Sequence, residues 1–139
     1  MTEPSRPIPF PDAETAPYWT AAHEHRLTLP QCQDCRHIAF PPKPRCPKCH
    51  SPQMVWVPLT GRGTLHSYTV MHDTFVRGLE PPFVIGDVEL EDQAGLCIVA
   101  NLVECAPAGV HIGMPLEVTY EDVTEDITLP QFRPAGKTP

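Results

Sequence analysis

No apolar run in this chain approaches the roughly 18 residues that would span a bilayer as a helix. The first residues, Met1-Thr2-Glu3-Pro4-Ser5-Arg6-Pro7, lack the basic-then-apolar pattern of an export signal. Aromatic residues are scarce, at 7%, and charged residues make up 19%. The signatures of the large catalytic classes are missing: there is no G-x-S-x-G, no H-E-x-x-H, no phosphate-binding loop and no G-x-G-x-x-G. These absences argue against a membrane protein and offer no ready-made nucleophile, zinc-protease or nucleotide site. Without an export signal, the six cysteines are expected to be metal ligands or free thiols of a cytoplasmic protein, not disulfides.

Proline is abundant instead, at 19 of 139 residues. It breaks helices and cannot donate to a central strand, so a helical bundle is disfavoured and short strands joined by stiff loops are expected. A hydrophobic fraction of 41% suits one folded domain or two small modules. The charges are segregated. From Arg26 to Gly78, seven bases face two acids, a balance of +5; from Leu79 onward, eleven acids face Arg133 and Lys137, a balance of −9. A nucleic-acid binder wears its basic patch on the domain that grips the backbone, and here the larger half would repel phosphate. A small anion could still be held by the basic stretch.

Residues 1–25 read as a Pro-rich extended segment followed by a short helix. Thr15 is placed to N-cap it and Pro17 sits near its first turn, where a missing N–H costs nothing. Tyr18 and Trp19 give this helix an aromatic face. Residues 26–58 form a unit around four cysteines. Period-two patterning then marks strands at 64–70, 83–90, 96–103, 116–120 and 127–129, the last ending before Pro130. The 96–103 run is apolar enough to be central, with Cys97 as a small buried hydrophobe. Five short strands over 59–139 suggest a small closed barrel, its glycines at bends and bulges.

The cysteine spacing carries the chemistry. Cys32-x-x-Cys35, ten residues, then Cys46-x-x-Cys49 can present four thiolates tetrahedrally to one ion, the closed soft arrangement of structural Zn2+. Arg36, Arg45 and Lys48 favour the thiolate forms. Iron, which the same knuckles can hold, is the alternative. Cys46-Pro-Lys-Cys49-His50 also spells the haem-attachment motif, but the upstream knuckle already accounts for both cysteines. Cys97 and Cys105 have no histidine at a motif-like spacing.

These pieces together resemble the acyl-CoA-associated zinc-ribbon/OB-fold proteins, the family known as domain of unknown function 35. The resemblance runs through Tyr18-Trp19, Arg26-Leu27, the two knuckles, Pro41-Pro42 and Gly61-Arg62-Gly63-Thr64-Leu65-His66-Ser67-Tyr68-Thr69-Val70. It continues in Pro81-Pro82-Phe83, Ile112-Gly113-Met114-Pro115-Leu116-Glu117-Val118 and Leu129-Pro130-Gln131-Phe132-Arg133-Pro134. One departure is that Arg36 and His50 follow the second cysteines where such knuckles commonly have glycine. The resemblance implies a mainly β fold: a short N-terminal helix, a rubredoxin-like zinc ribbon and a C-terminal five-stranded OB-fold barrel. It implies a non-catalytic subunit that pairs with a thiolase-superfamily enzyme, such as a thiolase or a retro-aldolase of steroid side-chain breakdown. Some relatives pair instead with hot-dog-fold hydratases. Within that frame the basic stretch could meet the phosphates of coenzyme A, with Arg62 first for its glycine neighbours, then Lys43 and Arg45. Trp19 and the apolar loop 73–79, with Phe75 and Val76, are the expected partner contacts. A nucleic-acid-binding OB barrel is the rival, disfavoured by the −9 balance and the few aromatics, Tyr68, Phe83, Tyr120 and Phe132 among them.

Overall fold

The computed structural model describes residues 6–74 and 76–136. Helix α1 (Ala16–His23) is followed by an antiparallel pair, β1 (Thr28–Cys32) and β2 (Met54–Pro58), whose long connection carries the second knuckle. The other strands are β3 (Arg62–Met71), β4 (Phe83–Leu90), β5 (Cys97–Leu102), β6 (Pro115–Asp122) and β7 (Thr128–Pro134). They close a barrel in the order β3-β4-β5-β7-β6. The fold is mainly β, with one short helix, a four-cysteine ribbon and a five-stranded barrel, as the proline content and the period-two runs imply.

Alternation explains the barrel. Along β4, Val84, Gly86, Val88 and Leu90 are buried, while Phe83, Ile85, Asp87 and Glu89 point outward. Leu65, Val88, Leu90, Leu116 and Phe132 are fully buried inside, and each large apolar side chain there contributes roughly 1.5–3 kcal/mol. Two glycines permit closure. A Cβ on Gly63 would stand 2.3 Å from the Glu89 carbonyl oxygen, and one on Gly61 would stand 2.5 Å from the Val118 side chain. The glycines that flank Arg62 therefore serve strand packing.

Three local expectations are corrected. The last strand does not stop before Pro130 but runs to Pro134, opposite β6 throughout. Phe132 offers its carbonyl to the Val103 N–H at 2.8 Å. Pro130, Phe132 and Pro134 thus direct their main-chain groups away from β6, and the missing proline N–H groups cost that ladder nothing. Second, β5 is not central in the sense expected. It pairs along its length with β4 but meets β7 at one bridge, Leu102↔Phe132. Val99 on its outer face is 65% exposed, and Cys97 is half-buried instead of a core residue. Third, Thr15 holds the N-cap position without a side-chain capping bond. The Asp12 carboxylate instead holds the turn that leads into the helix, accepting the N–H groups of Glu14 and Thr15 at 3.0 and 2.9 Å.

The parts are tied side chain by side chain. Just beyond α1, His25 stacks on Tyr120 of β6 with ring centres 4.9 Å apart, and its Nε2 lies 3.0 Å from Asp122. The same carboxylate accepts the hydroxyl of buried Thr128 at 2.6 Å. On the other side, Gln93 in the β4–β5 turn donates to the Ile38 carbonyl at 3.0 Å and accepts the Ile38 N–H at 2.8 Å, joining ribbon to barrel. The close approach at β3 yields a test. Gly63→Ala should lower the urea midpoint by the equivalent of about 1–3 kcal/mol, the cost of overpacking. Gly109→Ala, whose Cβ meets only Cys105 Sγ at 3.6 Å, should stay within about 0.5 kcal/mol of the parent.

Candidate metal centre and neighbouring surfaces

The two knuckles repeat one geometry. Cys32 Sγ accepts the N–H groups of Asp34 and Cys35, each at 3.4 Å. Cys46 Sγ accepts those of Lys48 and Cys49 at 3.3 and 3.4 Å. Each turn ends on a residue in the left-handed region, Arg36 at φ 71° and His50 at φ 68°. Side chains there normally cost energy that glycine avoids. Here each strained residue has its carbonyl held, Arg36 by Gln31 Nε2 at 3.0 Å and His50 by the Arg45 guanidinium at 3.2 Å. Ser51 links the knuckles: its hydroxyl donates to Asp34, and its carbonyl accepts the Cys46 N–H at 2.9 Å.

Together these turns bring Cys32, Cys35, Cys46 and Cys49 to one point, with all four sulfurs within 4.8 Å of one another. Cys32 and Cys49 are 3.6 Å apart, and Cys35 and Cys46 are 3.5 Å apart. Zinc–sulfur bonds of about 2.3 Å in a tetrahedron separate sulfurs by about 3.8 Å, so the cluster has the right size. The electrostatics point the same way. The Cys35 N–H leads the bonds that lower Cys32 to about 6. Cys49 accepts a favourable N–H from Ser51, yet the adjoining Cys35, Cys32 and Cys46 and burial push it up to about 12. Four crowded thiols resist ionising together, and a soft divalent cation removes that conflict. All four tetrahedral positions are protein sulfur, so such an ion would brace the ribbon and have no position left for a substrate.

The remaining sequence candidates are dispersed. Arg45 is engaged by the knuckle. Exposed Lys43 borders a small cleft between ribbon and barrel with His37 and Gln93. Arg62 pairs with Glu91 at 3.2 Å and borders a different cleft, beside Ala94. The β4–β5 turn is thus common ground between Lys43 and Arg62. Trp19 is half-buried, edge-on to Tyr18 at 4.9 Å. Val76 is half-buried, and its N–H is held by Thr74 Oγ1 at 2.9 Å; Phe75 lies outside the described residues. Burial and the neighbouring Asp87 and Glu89 push the Cys97 thiol up, away from nucleophilic character.

Sequence reasoning missed an apolar cleft of about 460 Å³ where α1, the ribbon and the barrel meet. Trp19, Phe40, Phe83, Ile85, Val99 and Leu129 are among its walls, and Arg6 is at its edge. Its components come from six separate stretches of chain. Only the aromatic face of α1 hinted at it.

Comparison with known proteins finds two family profiles that match in succession along the chain. The sequence profile of the ChsH2 rubredoxin-like zinc ribbon domain matches residues 19–55, and that of the ChsH2 C-terminal OB-fold domain matches residues 56–121. A probable enoyl-CoA hydratase alpha subunit of Thermomonospora curvata is 37% identical over 94% of this chain, which spans 40% of that protein's length. A DUF35 domain-containing scaffold protein of Methanocaldococcus jannaschii is 33% identical over 69% of this chain and 68% of its own. The benzoylsuccinyl-CoA thiolase subunit BbsA of Thauera aromatica is 31% identical over 69% of this chain and 64% of its own. Among solved structures, a chain of the Ltp2-ChsH2(DUF35) aldolase superposes with a TM-score of 0.84 at 36% identity, covering 91% of this chain and 98% of the other.

The sulfur cluster is directly testable. Cys46→Ser should abolish stoichiometric metal by elemental analysis and collapse the amide resonances of the ribbon. Barrel resonances remote from Gln93 should be retained. Structural zinc binding is worth about 10–16 kcal/mol in small modules, and the ribbon has little other core to replace it.

Proposed function

We propose that this chain, which belongs to the ChsH2/DUF35 family of zinc-ribbon and OB-fold proteins, is a zinc-binding, non-catalytic subunit of an acyl-CoA-processing complex. Its partner in this reading is a thiolase-superfamily enzyme, a thiolase or thiolase-like aldolase, which it stabilises and helps to hold the CoA ester. The observation that carries the reading is the likeness to the Ltp2-ChsH2(DUF35) aldolase over 98% of the matched chain. The thiolase subunit among the relatives supports the partner class. Zinc is the metal that the donor set favours, with Cys32, Cys35, Cys46 and Cys49 as its ligands.

Two surfaces supply the physics. Exposed Val99 and the cleft behind it are apolar area that a larger subunit could cover, toward the ~1,600 Å² of a standard interface. Exposed Lys43, with Arg62 at the other cleft bordered by the β4–β5 turn and Arg45 in the knuckle, gives the basic side a means of meeting CoA phosphates. Outward Asp87 and Glu89 on the barrel oppose a nucleic-acid role. A second reading, pairing with an acyl-CoA hydratase, is favoured by the hydratase alpha subunit that aligns with 94% of this chain.

Co-expression with a thiolase-like partner and, separately, with a hydratase partner distinguishes the two. A stable hetero-oligomer on size exclusion is expected with the former, and the chain alone should turn over no acyl-CoA. Phe75→Asp should weaken that assembly at unchanged zinc content, because it places a charge in the apolar 73–79 segment. Lys43→Glu should leave assembly intact and raise the KM for the CoA ester. A partner that is fully soluble and active without this chain would remove the subunit reading.

A further inference from the structure

The cleft beside α1 lies over the seam where the barrel is joined by one bridge, and the seam has a simple cause. Leu96 offers its carbonyl to Leu90 of β4, and Val103 gives its N–H to Phe132 of β7. Even-numbered residues of β5 therefore face β4 with their main-chain groups, and odd-numbered ones face β7. Continuing the parallel register of Leu102↔Phe132, the next donor, to the Val99 carbonyl, would be the N–H of residue 130. That residue is proline and has none. No strand residue is registered opposite Val99 on that side.

From this geometry we propose that the seam cleft binds the amide and acyl end of an acyl thioester: a neutral ligand with one secondary amide beside an apolar body. The source of the ligand rests on the proposed function; the site rests on the seam. Val99 offers one N–H and one C=O, the complement of a single amide. Adding a peptide strand would need such pairs at every second residue. Asn101 adjoins the β7 bridge, however, and Cys97 opens into the separate cleft that contains Lys43. The walls are apolar, and a volume of about 460 Å³ lies within the ~300–1,000 Å³ of small-molecule sites. Arg6, the charged residue at its edge, already bonds Asn101 Oδ1 at 3.2 Å and lies 3.7 Å from Glu121. The Glu121 carboxylate offsets the Arg6 charge, and the buried Arg6 Nε, which has no partner among the described residues, leaves the cleft a single N–H donor instead of a free cation for a phosphate. The uncharged end of a CoA ester has this composition: an acyl group, the thioester, then the first amide of the pantetheine arm. The phosphates would remain outside, on the basic side.

The probe is S-hexanoyl-N-acetylcysteamine, which keeps the acyl group, thioester and first amide and carries no phosphate. It is titrated into the isotope-labelled full chain and followed by amide shifts and tryptophan fluorescence. Saturable binding is expected, with Val99, Trp19 and Leu129 among the moved resonances. Val99→Pro removes an N–H that no ladder bond uses and should weaken binding by roughly five- to tenfold. Val99→Thr should retain it, and Ile85→Asp, on the outer face, should abolish it; zinc content and circular dichroism verify that each variant is folded. S-ethyl hexanethioate, which has no amide, should bind as weakly to the parent as the intact probe does to Val99→Pro. Free coenzyme A should leave the seam unmoved. The proposal is overturned by the absence of saturable binding, by shifts confined to other surfaces, by equal binding of the amide-free thioester, or by self-association through the Val99 edge. A chain that assembles with the thiolase-like enzyme but takes no probe keeps the function and loses the subsite. One that takes the probe but pairs with no acyl-CoA enzyme keeps the subsite and loses the subunit reading.

Discussion

The convergence of four thiols on one point is the constraint on which the rest of the structure leans. The ribbon contributes few residues to the shared core, chiefly Leu27, Leu29 and Ile38, and its two strands are five residues each. An isolated pair of that size is marginal in water. What fixes the path from Cys32 to Cys49 is the sulfur cluster, with the Gln31 and Arg45 bonds that hold its two strained turns. That path delivers Phe40 and Pro42 to the wall of the apolar cleft and Lys43 to the neighbouring one. The sulfur cluster thus shapes surfaces that lie away from it, because the path it fixes supplies walls to both clefts.

The barrel shows how one residue type can build and leave open the same structure. On the β6 side, Pro130 and Pro134 are harmless because their missing donors point the other way. On the β5 side, the same omission stops the ladder after one bridge. Natural sheet edges are commonly protected by charges. The exposed edge of Cys97-Ile98-Val99-Ala100-Asn101 has none, and it is protected instead by recession behind α1 and the Phe40–Pro42 segment.

Much of this was legible in the residues. The two C-x-x-C pairs announced the cluster, because the chemistry needs only local turns at fixed spacing. The alternation of β4 announced its inner and outer faces. Strand ends and edges were less legible, since Pro130 reads as a stop until the direction of its neighbours' bonds is known. The apolarity of β5 reads as centrality because a buried strand and a strand under a cleft have the same composition. Arg62 looked poised between two glycines for a ligand; those glycines are consumed by Glu89 and Val118, contacts that sequence neighbours cannot reveal. The cleft itself, assembled from six distant stretches, leaves no local signature.

Gln93 has a mechanical meaning. Its side-chain amide meets both the N–H and the C=O of Ile38, as the edge of an adjacent strand would. Two bonds from one rigid plane fix an angle as well as a distance. A twist of the ribbon against the barrel would have to break both together, which makes the boundary between the modules stiff in torsion instead of compliant. A partner pulling on the ribbon or a ligand wedging the seam would therefore load these two bonds together, and Gln93 is the point at which such a twist is felt by the barrel.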